Sequence, residues 1–201
     1  MNHRIFIAIN FPEKIKKELL DCQKNIDNLF LSSQEDFGGK VVRWTKPESL
    51  HITLVFLSYL SDEEIMKVCN IVKEVAPRHS SFSVNLNKIY YGPPRKMPPR
   101  MIWVEGEKSK EFGLLRDDLE NSLIGSGSVN YAPENRAFSP HITLGRIKTW
   151  EWKRIEPEER PEIEKEISLN FEAKSIEIME SRLKRGGAEY TVLNSFKLKE
   201  D

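Results

Sequence analysis

The tetrapeptide HITL occupies residues 51–54 and occurs again at residues 141–144. The chain has only four histidines, and two of them open these two copies. With average residue usage, Ile-Thr-Leu follows a given histidine about once in several thousand cases, so chance explains the repeat poorly. A duplication kept only for packing would not require histidine, so the repeat indicates that the imidazoles have a function.

Both copies lie in short apolar segments, LHITLVFL and HITLGRIK, which predict strands. Alternate residues of a strand face the same side, so His51 and Thr53 share a face, and so do His141 and Thr143. The Ile and Leu of each copy point the other way, into apolar packing. If the two strands face each other, two imidazoles and two hydroxyls surround one groove.

The fifth residue after each motif histidine is a further candidate. Arg146 offers a rigid guanidinium fork that suits phosphate oxygens, and Phe56 holds the matching position after His51. Strand periodicity alone places Arg146 on the face opposite His141, so it would have to reach the groove around a strand end or a twist. Phe56 would pack in the core or, beside a groove, form a stacking platform for a nucleobase.

Outward from the motifs, apolar periodicity predicts the order β, α, β-β, α, β-β, α, β and then β-β. FGGK at 37–40 ends the first helix, residues 149–166 form an exposed charged connection with a helical turn, residues 167–183 form one strand, and KRGG leads into the last. The motif histidines are 90 residues apart, close to half of the 201-residue chain. We therefore expect an α+β fold with mainly antiparallel sheets in two similar lobes.

The composition excludes several classes of protein. Basic and acidic residues balance at 31 each, so the chain does not coat nucleic acid by bulk charge, although a local basic site stays open. The apolar run Ile5 to Ile9 is too short for a signal peptide, and no stretch is long enough to span a bilayer. We expect a cytoplasmic protein in which Cys22 and Cys69 are reduced thiols.

Two histidines without metal suit general acid–base catalysis better than the alternatives. Catalytic zinc normally takes three protein ligands, and neither HITL strand carries a carboxylate, a cysteine or a second histidine at i+2 or i+4. A nucleophile turn of the G-x-S-x-G type is absent. Attack and departure at phosphorus occur in line on opposite sides, so one imidazole can take a proton while the other gives one. We therefore predict a site that needs no metal and no cofactor.

The paired motifs resemble those of the two-histidine phosphoesterases. RIFIAINFP, VRWTKPESLHITLVFL, FSPHITLGRIK and GAEYTVLNSFKL are similar to one branch, the RNA 2′,3′-cyclic phosphodiesterases, historically called 2′-5′ RNA ligases. These stretches cover essentially the whole chain. The resemblance implies a single bilobal domain over residues 1–201, with two mainly antiparallel sheets, flanking helices and a pseudo-twofold axis at a central groove.

The resemblance also implies an activity. It is metal-independent hydrolysis of RNA 2′,3′-cyclic phosphate ends to 2′-phosphomonoesters, with reversible, ATP-independent 2′-5′ ligation when a 5′-hydroxyl end replaces water. In this family pattern His51 protonates the departing 3′ oxygen and His141 activates water. The assignment of acid and base comes from the resemblance and not from the residues themselves.

The remaining motif positions receive roles in the same way. Thr53 and Thr143 hold the phosphate, Arg146 contacts the phosphate side of the ligand, and Phe56 lies near the base. The expected partner is RNA with cyclic phosphate ends, tRNA fragments among them, and we expect a monomer. Two alternatives stay open: a cyclic phosphodiesterase for a small nucleotide or ADP-ribose derivative, and a non-catalytic module for RNA ends. The second would use local basic groups, namely Arg43, Lys46, Arg95, Lys96 and Arg100.

Overall fold

The computed structural model describes residues 2–32, 41–127, 129–133, 137–184 and 187–200. The predicted helix end at 37–40 and the two central residues of KRGG lie outside these ranges. The helices are α1 (Glu13–Ser32), α2 (Asp62–Val75), α3 (Lys110–Ser126) and α4 (Thr149–Arg154). The strands are β1 (His3–Asn10), β2 (Val42–Trp44), β3 (His51–Leu60), β4 (Phe82–Gly92), β5 (Met101–Gly106), β6 (His141–Ile147), β7 (Glu164–Ala173), β8 (Ser175–Lys184) and β9 (Gly187–Lys197).

The strands form two sheets. One has the order β3-β1-β8-β9 and the other the order β2-β6-β5-β4-β7, and neighbouring strands are antiparallel. The predicted α+β fold with mainly antiparallel sheets is therefore confirmed. Each sheet contains one HITL strand, β3 at the edge of the first and β6 inside the second, and these two strands contact each other.

A shared apolar core joins the sheets. The isoleucines of both motifs, Ile52 and Ile142, have no solvent exposure and belong to one buried cluster that draws on both sheets and on all four α-helices named above. Helix α2 begins with the predicted capping box, in which Ser61 and Glu64 satisfy each other's backbone N–H groups. Buried isoleucine and leucine behind each motif strand therefore fix where its polar face points.

The lobes do not coincide with the two halves of the chain. The first sheet combines β1 and β3 with β8 and β9, while all strands between β4 and β7 belong to the second sheet. The segment predicted as one strand over residues 167–183 is two strands, so that prediction was wrong. At Lys174 the chain changes sheet, since Ala173 pairs with Phe82 in one sheet and Ser175 pairs with Lys197 in the other. Apolar residues occur on both sides of Lys174, so the sequence pattern did not indicate that one strand ends and another begins there.

The charged connection over residues 149–166 is only partly exposed, which corrects the sequence prediction. It contains α4, whose Trp152 is buried against Phe30 and Tyr91. Ile155 and Ile163 are also buried. Three widely spaced apolar residues anchor this segment, and most of its charged residues stay exposed, although Glu151 is buried. No described helix is long and apolar enough to cross a membrane.

Candidate active site

The first motif strand carries a β-bulge at the leucine of HITL. Consecutive residues of β1 pair with Thr53 and Val55, which leaves Leu54 as an extra residue in β3. A bulge shifts the alternation of faces by one residue. Leu54 and Val55 are therefore both buried, while His51, Thr53 and Phe56 all have exposed surface.

The second motif strand has a β-bulge at the same position of its motif. Consecutive residues of β5 pair with Thr143 and Gly145, so Leu144 is the extra residue in β6. Leu144 and Gly145 are buried, and Arg146 is exposed on the same side as the partly exposed His141 and Thr143. Strand periodicity had placed Arg146 on the opposite face. The bulge is the physical reason that this expectation was wrong.

A buried glutamine supports the second bulge. The Nε2 amide of Gln23 in α1 donates to the carbonyl oxygens of Leu144, at 2.9 Å, and Thr45, at 2.8 Å. The side chain of Gln23 lies in the core at 5% exposure. The amide adds a second donor to the Leu144 oxygen, which also accepts from the Thr45 N–H at 2.8 Å, and it supplies a donor to the Thr45 oxygen at the end of β2. Sequence reasoning missed Gln23, because one polar residue beside an apolar helix face carries little signal.

Each motif histidine is held by the backbone carbonyl two residues before it. Nδ1 of His51 lies 2.8 Å from the Ser49 oxygen, and Nδ1 of His141 lies 2.9 Å from the Ser139 oxygen. A carbonyl oxygen can only accept, so Nδ1–H is the donor in both rings. Proton transfer by either ring would therefore run through Nε2. The signal was in the sequence, since the repeat extends to S-x-H-I-T-L in both copies.

The two imidazoles have different aromatic neighbours. The His51 ring centroid lies 4.8 Å from that of Phe6 and 5.0 Å from that of Tyr190, whose ring stands edge-on. The His141 ring lies 4.0 Å from that of Trp103 at a small tilt. A Cβ at Gly92 would stand 2.2 Å from the Trp103 ring, so the adjacent strand needs glycine there. Distant strands bring these aromatic residues in, which is why the motifs alone did not reveal them.

Two adjoining cavities open at the motif strands. His141 lines a larger cavity of about 590 Å³, and His51 lines a smaller one of about 440 Å³. Both cavities share Thr53, Phe56 and Arg4, whose guanidinium lies 4.8 Å from the centre of the Phe56 ring. The shared wall is thus a hydroxyl, an aromatic ring and a cation between the two imidazoles.

The smaller cavity is basic. Arg43 and Arg146 lie directly opposite each other on β2 and β6, and both line it. Like charges in direct register destabilise a sheet, and an anion between them relieves the repulsion. None of the described residues lining this cavity is acidic, although Lys184 at its wall is paired with Glu189 outside it.

The sequence-predicted residues thus come together in part. His51, Thr53, Phe56 and Arg146 line the smaller cavity, and His141 faces the larger one. Thr143 is half-buried on the His141 side of its strand but lines neither cavity. Of the basic residues proposed for an RNA-binding module, only Arg43 lines either of these two cavities; Lys46, Arg95, Lys96 and Arg100 do not.

Comparison with known proteins places the chain in a family. A Thermotoga maritima protein named RNA 2′,3′-cyclic phosphodiesterase is 32% identical over 165 residues, which are 80% of each sequence. The Bacillus subtilis protein of the same name is 30% identical over 147 residues, covering 73% of this chain and 72% of that one. The family model described as LigT like Phosphoesterase matches residues 9–103. The chain belongs to this phosphoesterase family.

Solved structures agree with the LigT-like assignment. The crystal structure of TT0787 of Thermus thermophilus matches with a TM-score of 0.75 at 25% identity, covering 98% of this chain and 99% of that one. Escherichia coli LigT complexed with 3′-AMP matches with a TM-score of 0.72 at 20% identity and the same coverage, which bears on the fold alone. The LigT-like fold thus extends through both sheets, beyond the residues matched by the family model.

Burial changes the pKa of one motif histidine in this LigT-like site. Burial lowers the pKa of His51 from 6.5 to about 4; the Ser49 carbonyl opposes this shift, and the charge of His141 adds to it. The His51 imidazole of the unliganded protein is therefore neutral at pH 7. No three His, Cys, Asp or Glu side chains within the described ranges are arranged to hold a metal ion. The expectation of metal-independent chemistry stays a prediction.

Proposed function

We propose that this phosphoesterase hydrolyses 2′,3′-cyclic phosphate ends of RNA, with His51 and His141 as general acid and general base. The observation that carries the proposal is the matched pair of imidazoles on bulged strands. Each is fixed through Nδ1 by a carbonyl, which makes Nε2 the nitrogen through which proton transfer would run. The names of the relatives add the substrate class, since the Thermotoga maritima and Bacillus subtilis proteins are both called RNA 2′,3′-cyclic phosphodiesterases.

The reaction is an in-line displacement. A water oxygen attacks phosphorus and gives a proton to Nε2 of one histidine. The bond between phosphorus and the 3′ oxygen breaks on the opposite side, and that oxygen takes a proton from the other histidine. The product is a 2′-phosphomonoester with a free 3′-hydroxyl. The family pattern makes His51 the acid and His141 the base.

The phosphate has a set of candidate donors in the shared wall, in the basic cavity and on the His141 side of β6. Thr53 and Thr143 would donate hydrogen bonds to non-bridging oxygens, where negative charge grows in the transition state. Arg146 and its cross-strand partner Arg43 supply positive charge on the His51 side. Phe56, with Arg4 stacked on it, offers a surface for a base.

The lowered pKa of His51 sets a condition on its role as an acid. A neutral imidazole has no proton at Nε2 to give. A cyclic phosphate brings a negative charge to the wall beside His51, and an adjacent anion favours the protonated ring. Substrate binding would therefore raise the pKa of His51 from about 4 toward the working pH, and proton uptake would accompany binding.

Product identification tests the proposed function. A short RNA ending in a 2′,3′-cyclic phosphate is incubated with the protein in excess EDTA, and the product is assigned by ³¹P NMR. The expected product is the 2′-phosphomonoester, and EDTA should leave the rate unchanged. A 3′-phosphate product would contradict the proposed geometry. Tight binding without turnover would favour the RNA-end binding module instead.

Substrate length separates RNA from the small-nucleotide alternative. The basic cavity, with two arginines in register, favours a ligand that carries further phosphates. We therefore expect kcat/KM for a cyclic-phosphate oligonucleotide to exceed that for the corresponding mononucleotide. Equal values would indicate that only the terminal nucleotide is bound.

We further propose that residues 1–201 act as a single domain, because one buried cluster joins both sheets. We also propose that this domain acts as a monomer.

A further inference from the structure

We propose that Met101 is an oxidation site, at which a peroxide converts the thioether to a sulfoxide and thereby weakens the binding of the cyclic phosphate. The inference rests on the proposed function, because it concerns the regulation of the same site. It assigns a role to a residue that belongs to neither HITL motif and lines neither of the two cavities.

Met101 is the first residue of β5 and lies opposite Arg146 of the second motif strand. These two residues pair directly between β5 and β6, and Trp103 pairs with Thr143 further along the same strands. Met101 and Trp103 are both partly exposed, whereas Ile102 between them is fully buried. Alternation therefore places the thioether and the indole on the open side of the sheet, where the guanidinium also lies.

The sulfur of Met101 contacts side chains that belong to both cavities. The indole Nε1–H of Trp103 donates to it at 3.3 Å, and Nη1 of Arg146 lies 4.0 Å from it. Trp103 lines the larger cavity and lies against the His141 ring, while Arg146 lines the smaller, basic cavity. A thioether is a weak acceptor, so in the reduced protein it does not hold the guanidinium firmly.

Oxidation turns this sulfur into a strong acceptor. The thioether sulfur attacks one oxygen of hydrogen peroxide, the sulfur–oxygen bond forms and the oxygen–oxygen bond breaks. The departing hydroxide takes the proton of the transferred hydroxyl and leaves as water, so sulfur is oxidised and peroxide is reduced. The 4.0 Å between the Met101 sulfur and Arg146 leaves room for the new oxygen, which accepts a hydrogen bond from the guanidinium. That guanidinium is then lost to the phosphate.

The other methionines that the structure describes lie elsewhere. Met66 and Met97 are 68% and 76% exposed and line neither cavity, and Met179 is buried at 1% exposure. Peroxide should therefore reach Met66 and Met97 without a direct effect on the site, and it should spare Met179. Met101 is the one described methionine that is both partly exposed and in contact with cavity-lining residues.

The two cysteines are poor competitors for the oxidant. Burial raises the pKa of the Cys22 thiol and that of the Cys69 thiol above the ordinary value. The thiolate is the form that reacts with peroxide, so both side chains should react slowly at neutral pH. A loss of activity that methionine sulfoxide reductases reverse would also exclude the cysteines, because these enzymes act on methionine sulfoxide alone.

Peroxide treatment with peptide mapping is the first test. The protein is exposed to increasing hydrogen peroxide, the sulfoxide at each methionine is measured by mass spectrometry, and the KM for a cyclic-phosphate RNA is measured in parallel. We expect the KM to rise about tenfold in step with the sulfoxide at Met101, because a charged phosphate contact is lost, and methionine sulfoxide reductases A and B to restore it.

Two results of this test would overturn the inference. Either Met101 stays reduced while Met97 is oxidised, or Met101 is oxidised and the KM does not change. If the untreated protein does not hydrolyse the RNA at all, the proposed function itself has failed.

Variants form the second test. Met101→Leu keeps the apolar volume and removes the sulfur, so its KM should not respond to peroxide, whatever its starting value. Met97→Leu is the matched control and should respond as the wild type does, because its sulfur lies outside both cavities. In Arg146→Leu the contact that the sulfoxide removes is already absent, so oxidation should not raise the KM further. If Met101→Leu responds like the wild type, or if oxidation raises the KM of Arg146→Leu tenfold, the inference is wrong.

Discussion

The two motif strands share one backbone design and differ in their surroundings. Both have a bulge at the motif leucine and a carbonyl that fixes the histidine tautomer. Around this frame, His51 lies between Phe6 and Tyr190, whereas His141 lies against Trp103. The difference indicates that the duplicated part fixes positions, while residues from other strands give each histidine its own aromatic surroundings.

The largest expected effect is the loss of either imidazole. Because each histidine moves one proton in the proposed reaction, His51→Ala and His141→Ala should each lower kcat by about 10²–10⁴-fold. Initial rates on a cyclic-phosphate RNA measure this. His79→Ala is the matched control, because His79 pairs with Asp118 outside the two cavities and should keep the wild-type rate. Full activity in either motif variant would exclude acid–base catalysis by that residue.

The residual pH profile of His141→Ala can assign the role of His51. In the free enzyme the pKa of His51 is lowered to about 4. If His51 is the acid, kcat/KM should fall as pH rises through the pKa of His51, which lies above its wild-type value in this variant because the lowering effect of His141 is absent. A profile that rises through this pKa and then levels off would make His51 the base and reverse the family assignment.

The second prediction concerns stability and the burial of His51. The pKa of His51 falls from 6.5 to about 4, so between these pH values the unfolded chain binds a proton that the folded chain does not. This contribution to the free energy of unfolding is present above pH 6.5 and is lost as pH falls to about 4, up to roughly 3 kcal/mol. Denaturant titrations at several pH values measure it. His51→Gln should flatten this part of the curve, while His79→Gln should not.

A third prediction compares the fifth residues after the two histidines. Arg146→Met should raise the KM for cyclic-phosphate RNA by about 10–100-fold and weaken its salt dependence, because a charged phosphate contact is lost. Phe56→Leu should raise KM by about tenfold and leave the salt dependence unchanged, because stacking is not ionic. Steady-state kinetics at two salt concentrations distinguish them. Equal salt slopes would show that Arg146 does not contact the phosphates.

The smallest effect is expected at the support of the second bulge. Gln23→Leu keeps the volume but removes two donors to the carbonyls of Leu144 and Thr45, at a cost of about 1–3 kcal/mol in the free energy of unfolding. If the bulge also positions Arg146, the variant should raise KM for RNA and leave the pKa of His51 as in the wild type. NMR titration of the histidines and urea unfolding provide the two readouts. Wild-type stability would mean that water replaces the amide.

Sequence patterns predicted the parts of the site that depend on one strand at a time. The shared face of His51 and Thr53 follows from alternation, and the antiparallel α+β class follows from the order of elements. The bulges could not be predicted, because a bulge is a mismatch between two strands and needs the register of the partner. The change of sheet at Lys174 was hidden for a similar reason, since both sides of it are equally apolar.

The residues around the histidines could not be predicted from the motifs for another reason. Tyr190 and Trp103 come from strands far from the motifs in sequence, and only the packing of the sheets brings them to the imidazoles. Sequence patterns showed no sign of a role for Arg4, although its side chain lines both cavities. Local periodicity assigns a face, but it cannot say which distant residue shares it.

The first sheet combines strands from both ends of the chain, which has a consequence for synthesis on the ribosome. When the chain has been made as far as β6, both HITL motifs exist, but β1 still lacks its neighbour β8 and His51 lacks Tyr190. Pairings over such long separations form slowly. The nascent protein therefore contains both motif histidines before β8 and β9 complete the first sheet, and the surroundings of His51 are complete only with the last two strands.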